Sequence, residues 1–286
     1  MVFLSVLLVL IWSTGFITGK FIVGLIDPNI YLGIRFFFAA VIFAVIVYFQ
    51  KRSYPKLAEM PKHILAGVFM NSIYMGLSYV ALVKGLPAGI MALIGALQPV
   101  LVTLLAFLLL KEKTTLVGAV GMLVGFVGLV MVISPALHFD MVFGGLTILT
   151  LTLGCLSVLA LSFGVTYQKM SIHSSDIMSA MVIQNLSACF VTMGFAFFLG
   201  ESLLELQLET FLLLLWGIVV LSCGGMFLMI FLVRKMAAAK VSILLLLAPP
   251  LAAVESYFLF SETMTIVQII GSLITIFGVY VSKVKG

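Results

Sequence analysis

Glu255 is the one firm carboxylate inside a long apolar run, "LLLLAPPLAAVESYF" over residues 244–258, where two prolines interrupt the hydrocarbon. An ionisable group at membrane depth costs about 2.5–3.5 kcal/mol on insertion scales. Glu255 is therefore a candidate for contacting substrate or for taking up and releasing a proton, with an outer-rim or packing role as the alternative. Other polar side chains also fall within apolar runs: Asn71, Tyr74 and Tyr79; Gln98 beside Pro99; Gln184 with Asn185; and Trp12, Ser13 and Thr14. These are candidates for lining a polar path. An amide in a membrane helix can equally bond to a neighbouring helix for about 0.6–2 kcal/mol, and tyrosines can serve as interface anchors or packing. Arg35, Lys20 and Asp27 lie around one turn between two runs. They can form a structural ion cluster, or the Arg35 guanidinium can grip a substrate carboxylate through two parallel hydrogen bonds.

Pro99, Pro249 and Pro250 each remove a backbone donor within an apolar run. Such residues break the helical ladder and leave carbonyls that must be satisfied without bulk water. Breaks at corresponding places in two halves point to a transporter's binding site; a packing kink is the alternative. Nothing in the chain suggests cofactor or metal chemistry. His63, His138 and His173 have no metal-ligand spacing, and Cys155, Cys189 and Cys223 read as packing residues. No phosphate-cradling glycine loop is present, so ATP hydrolysis is not the expected energy source.

The elements that carry these residues follow from composition. With 64% apolar and 9% charged residues and a mean hydropathy of +1.34, the chain reads as an all-α polytopic membrane protein. A span needs about 20 residues to cross roughly 30 Å of hydrocarbon. Ten such runs are predicted, over residues 3–24, 30–49, 63–83, 88–110, 115–134, 142–166, 177–199, 210–233, 241–260 and 265–282. The first is read as a retained span rather than a signal peptide, because no basic residue precedes it. With the N-terminus inside, twelve of the fifteen Lys and Arg residues flank the inner side. That bias places both termini in the cytoplasm and accounts for the net charge of +5 without a nucleic-acid partner.

The chain also repeats itself. Shifting "LQPVLVTLLAFLLLKEKTTLVGAVGMLVGFVGLV" by 150 positions lays it on "LAPPLAAVESYFLFSETMTIVQIIGSLITIFGVY" without a gap. Pro99 then matches Pro249, Glu112 matches Glu262, Thr115 matches Thr265, Gly121 matches Gly271 and Gly128 matches Gly278. Earlier in each half an offset of 149 places Ser13 over Ser162, Lys20 over Lys169, Asp27 over Asp176 and Arg35 over Gln184. Two five-span halves are predicted, residues 1–137 and 142–286. Five is odd, so the second half must enter from the opposite side, giving inverted repeats. That architecture suits a midplane site opened alternately to either face. The glycines of "GFITG" (15–19) and "GMLVG" (121–125) have the small-xxx-small spacing of close helix contact.

The stretch "LIWSTGFITGK" in the first span, Arg35-Phe36-Phe37 opening the second, and the pattern A…P…LLLKEKTT…G…G…G across the fourth and fifth resemble the EamA family of the drug/metabolite transporter superfamily. The resemblance covers both halves. It implies ten helices in a five-plus-five inverted repeat and export or exchange of amino acids, related metabolites or toxic compounds. The second half departs from the pattern, with Leu161 in place of Trp12 and Gln184 in place of Arg35, so a strictly symmetric site is not implied. The leading expectation is a secondary transporter, not an enzyme, that exports or exchanges amino acids or similar small metabolites by alternating access. A proton-coupled drug or cation exporter using Glu255 is the alternative, and a membrane enzyme or non-transporting scaffold is a third. The expected partners are a small-molecule substrate and the lipid bilayer, with no cofactor, no metal and a monomer as the simplest state. The expected location is the inner membrane of a prokaryotic cell.

Overall fold

A computed structural model describes residues 1–22, 24–86, 88–112, 115–134, 147–172, 175–260 and 264–284, apart from the side chains of 16, 19, 20, 83, 88, 89, 92, 93, 256, 260, 283 and 284. His138, His173, Glu262, the 142–146 start of the sixth expected span and the Lys20 side chain lie outside the described residues. The described protein is all-helical, with one isolated β-bridge between Ile26 and Leu204. Among the described residues, seven helical stretches are long and apolar enough to cross a membrane: Pro28–Phe49, Leu57–Leu82, Leu116–Ile133, Ile148–Ser171, Ile177–Leu199, Leu208–Lys235 and Ala238–Leu259. Three shorter apolar stretches, Val2–Gly15, Gln98–Leu110 and Ile266–Ser282, occupy the remaining expected spans.

The helices in chain order are α1 (Val2–Phe21), α2 (Pro28–Phe49), α3 (Met60–Gly67), α4 (Tyr74–Val83), α5 (Ala88–Gly95), α6 (Gln98–Leu110), α7 (Leu116–Ile133), α8 (Ile148–Ser171), α9 (Ile177–Leu199), α10 (Leu208–Trp216), α11 (Phe227–Lys235), α12 (Ala238–Leu244), α13 (Ala248–Phe260) and α14 (Ile266–Val284). Wider π-helical windings join α3 to α4 over Val68–Ile73 and α10 to α11 over Gly217–Met226. Their first residues are separated by the 149-residue offset found in the sequence. The ladder also breaks between α5 and α6, where Pro99 opens the second segment, and between α12 and α13, where Leu245–Leu247 tightens to a 3-10 turn ahead of Pro249 and Pro250. These two breaks coincide at the 150-residue offset.

Helix starts are fixed by local chemistry. Thr115 accepts from the Gly118 amide at 3.0 Å, and Thr265 accepts from the Gln268 amide at 3.2 Å, so repeat-equivalent threonines cap α7 and α14. Asp176 caps α9 by accepting from the Ser179 amide at 3.0 Å. Burial alone would raise this carboxyl's pKa, but the Ser179 amide and the Arg52 guanidinium outweigh it and hold the value below 3.8. At its far end α9 stops on Gly200, whose φ of +69° is the left-handed conformation that favours glycine.

The most extensive helix contacts join α7 to α14 and α2 to α9. Lipid removes most of the hydrophobic drive between helices, so close association depends on small residues that let backbones approach. A Cβ added to Gly121 would lie 2.7 Å from the Gly278 carbonyl oxygen, and one added to Gly278 would lie 2.7 Å from that of Gly121. Four buried apolar clusters fill the interior among the described residues. Met70, Val102, Val165, Met181 and Met229 belong to one, and Tyr31, Leu32, Phe36 and Ala188 to another. Large apolar side chains such as Phe37, Phe38, Phe197, Phe198 and Phe258 are exposed on the outside, as a lipid-facing surface requires.

Loops gather at two ends. At one, Arg52 pairs with Asp176, Lys169 pairs with Glu112 at 2.6 Å, and Arg234 donates to the Ser175 carbonyl at 2.6 Å. At the other, Asp27 accepts from the Ser202 and Leu203 amides at 2.8 Å each, and Glu201 accepts from the Asn29 and Ile30 amides.

Candidate functional site

A cavity of about 690 Å³ opens between α1, α2, α4 and the two broken helix pairs. Its wall includes Gly95, Gln98 and Pro99 at the first break and Leu245, Leu246 and Pro249 at the second. Trp12 and Gly15 of α1 line it, as do Tyr74, Ser78 and Tyr79 of α4 and Arg35 of α2. Asp27, Leu86 and Leu203 stand at the end where the 22–27 and 200–207 loops meet. The wall is mostly apolar with a few convergent polar groups, the usual character of a small-molecule site.

Arg35 is a buried charge in the cavity wall. It is 4% exposed, and its Nε donates to Ser222 Oγ at 2.7 Å while Nη2 approaches Met75 Sδ at 3.9 Å. Its guanidinium carbon lies 5.8 Å from the Tyr31 ring centre and 5.6 Å from that of Phe36, within range of cation–π attraction. Among the described residues no carboxylate pairs with it. The position follows from the π winding after α10: Gly217 lets Tyr31 and the Arg35 stem pass, since a Cβ there would meet Tyr31 Oη at 2.2 Å. Among the described residues Arg35 does not pair with Asp27, and the Lys20 side chain, the third member of the expected ion cluster, lies outside them. Asp27 spends its carboxylate on the 202–203 amides, and Arg35 turns inward to Ser222.

Two further cavity groups, Gln98 Nε2 and Ser242 Oγ, are buried with no hydrogen-bond partner among the described residues. They are a donor and a donor–acceptor available to a ligand or to water.

Seven of the predicted site residues, Trp12, Arg35, Tyr74, Tyr79, Gln98, Pro99 and Pro249, are brought to this one cavity. Six others, Ser13, Asn71, Gln184, Asn185, Pro250 and Glu255, are not among its lining. Gln184 Nε2 donates to Gln168 Oε1 at 2.9 Å, and Asn185 Nδ2 donates to the Met181 carbonyl of its own helix at 2.8 Å. Asn71 is buried within the first π winding, its Oδ1 without a hydrogen-bond partner among the described residues. Glu255 is half-buried between α13 and α1, where its Oε1 lies within hydrogen-bond distance of Ser13 Oγ, at 2.6 Å. Sequence reasoning missed Ser78, Met75, Met226, Ser242 and the Arg35 partner Ser222. Ser78 and Ser242 sit four residues from Tyr74 and Ala238 on faces that only the helix packing reveals. Among the described residues no three His, Cys, Asp or Glu side chains converge to hold a metal ion.

Comparison with known proteins agrees with this architecture. The EamA-like transporter family profile matches residues 1–134 and 148–283. A protein of Archaeoglobus fulgidus named an uncharacterized transporter is 25% identical over 284 residues, covering 96% of this chain and 95% of its own. The uncharacterized transporter YoaV of Bacillus subtilis is 26% identical over 285 residues, covering 96% and 93%. A solved crystal structure of a further protein shares the fold at a TM-score of 0.81 with 14% identity, covering 98% of this chain and 96% of that one.

Proposed function

We propose a transport mechanism from one premise: this chain belongs to the EamA-like transporter family and is an integral membrane transporter of the drug/metabolite transporter type. The cavity bounded by the two helix breaks is its substrate site, and the protein carries amino acids or similar small metabolites outward or in exchange, by alternating access. The observation that carries this reading is the meeting of both breaks beside a buried guanidinium that has no carboxylate partner among the described residues. A buried charge is strongly penalised unless paired, so the cavity is suited to a ligand that brings an anionic group. The same field disfavours a cation exporter, because a cationic ligand would share a low-dielectric cavity with Arg35.

Ten spanning helices in two inverted halves, 1–137 and 142–286, fit the pairings. Contacts of α1 with α13 have their repeat counterparts in α8 with α6, and α7 with α14 and α2 with α9 pair with themselves under the exchange. Both termini lie in the cytoplasm, on the side of the basic residues. The archaeal and bacterial relatives support the cell membrane of a prokaryote. The substrate and the bilayer are its partners, with one chain as the working unit and no enzymatic step.

Purified protein in liposomes, offered labelled amino acids and a lipophilic cation, tests the reading. Amino-acid flux without cation flux is expected. Cation flux alone, or neither, would overturn it.

A further inference from the structure

Glu255 is outside the cavity, in the seam between α1 and α13, and the donors there fall short of what an ionised carboxylate needs. Ser13 Oγ is 2.6 Å from Glu255 Oε1 and 2.8 Å from the Leu10 carbonyl oxygen. One hydroxyl proton cannot serve both acceptors. Glu255 Oε2 is sealed from solvent and has no hydrogen-bond partner among the described residues. An ionised carboxylate has about four acceptor sites to satisfy, and this one would have a single shared donor within an apolar span. If Oε1 carries a proton, every donor has a place. Oε1–H donates to Ser13 Oγ, Ser13 Oγ–H donates to the Leu10 carbonyl, and Oε2 is left as a neutral carbonyl oxygen, far cheaper to leave unbonded.

Among the described side chains no other charge lies beside the group. The 3-10 turn Leu245–Leu247 and α7 (Leu116–Ile133), both packed on α13, contain no titratable residue. On α14 the titratable residues are Tyr280, which is exposed, and Lys283, whose side chain is outside the described residues. On α1 the sole charged residue is Lys20, seven positions from Ser13 or about 10.5 Å at helical rise. On α13 itself the other titratable group with a described side chain, Tyr257, is exposed.

We infer that the Ser13–Glu255 pair is a proton-binding site separate from the substrate cavity, and that it couples proton movement to substrate movement through the α1–α13 seam. This rests on the transporter reading for its coupling, though not for its proton. Release breaks the Oε1–H bond, delivers the proton to water and leaves a carboxylate with Ser13 as its one donor. The seam must then rearrange to solvate that charge. Trp12 and Gly15 on α1, and Pro249 on α13, line the cavity, so a shift of either helix reshapes the substrate site.

Infrared spectroscopy of the full chain in lipid nanodiscs at neutral pH tests the proton directly. A protonated-carboxyl carbonyl band is expected in the wild type, absent from Glu255→Gln and shifted in Ser13→Ala, which keeps the acid and removes its acceptor. Equal spectra for wild type and Glu255→Gln would overturn the site. In liposomes with labelled amino acids, a one-unit pH gradient should shift the steady-state wild-type substrate ratio across the membrane by up to about tenfold per coupled proton. Glu255→Gln should keep symmetric exchange and lose that response. A retained response would overturn the coupling. Flux absent from every variant would defeat the transporter reading, while the infrared band would still decide whether Glu255 holds the proton.

Discussion

Replacing Gly121 by alanine should loosen the α7–α14 seam by an amount the geometry sets. The added Cβ would lie 2.5 Å from the Ser282 amide nitrogen, 2.7 Å from the Gly278 carbonyl oxygen and 2.9 Å from Ser282 Cα. All three are backbone atoms, so no rotamer change relieves them. Restoring ordinary contact needs α14 to retreat by about 0.9 Å, and a gap of roughly 0.5–1 Å forfeits a quarter to a half of each dispersion contact along the seam. Overpacking of this kind costs about 1–3 kcal/mol. Gly278→Ala should cost at least as much, because its Cβ would meet the Gly125 nitrogen at 2.2 Å. The double variant should cost less than the sum, since either change alone already separates the helices. Gly194→Ala on α9 is the control: nothing lies within 4 Å of its added Cβ, and relief of a helix-interior glycine stabilises by roughly 0.5–1 kcal/mol. Thermal melting of the purified protein in a single detergent reads all four. Gly121→Ala melting with or above Gly194→Ala would refute the close backbone approach.

Other perturbations test the cavity and the loop ends. Arg35→Gln keeps a donor for Ser222 and removes the charge, so affinity for a carboxylate substrate should fall by about 2 kcal/mol or more, at least roughly 30-fold. Arg35→Lys, which lacks the planar fork, should not restore it; a competition assay against a labelled amino acid checks both. Asp176 has a folded pKa held below 3.8, so its contribution is present above that value and is lost as pH falls through the folded one. Asp176→Asn keeps the cap but loses the partly exposed Arg52 pair and should cost less than about 1 kcal/mol at neutral pH. Asp176→Ala should add the loss of the cap, about 0.5–2 kcal/mol; melting at neutral pH and at pH below 4 separates the two variants.

The polytopic helical character, with seven membrane-length helices among the described residues, and the two breaks were legible in the sequence because hydrocarbon length and proline chemistry leave direct marks. Pro99 and Pro249 stand at interruptions in the helical ladder. The π windings at Val68–Ile73 and Gly217–Met226 were not legible, since no proline marks them and their cause is tertiary: Gly67 and Gly217 admit neighbouring atoms at backbone distance. Glu255 stands apart from the cavity lining for a reason of helical phase. It follows Pro249 by six residues, about 600° of helical rotation, and so points to a different face of α13. The same phase separates Trp12, which lines the cavity, from Ser13, which meets Glu255. The inward turn of Arg35 depended on Ser222, which is 187 positions away in the chain, beyond the reach of any local pattern.

The central claim is that the cavity between the two helix breaks opens in turn to both sides of the membrane. Ser78 lines that cavity and can be replaced by cysteine in a background with Cys155, Cys189 and Cys223 removed. The decisive measurement is the rate at which a membrane-impermeant thiol reagent modifies this position in oriented liposomes, applied from each face separately. The account predicts modification from either face and protection at both by transported amino acid. Modification from one face alone, unchanged by substrate, would contradict it.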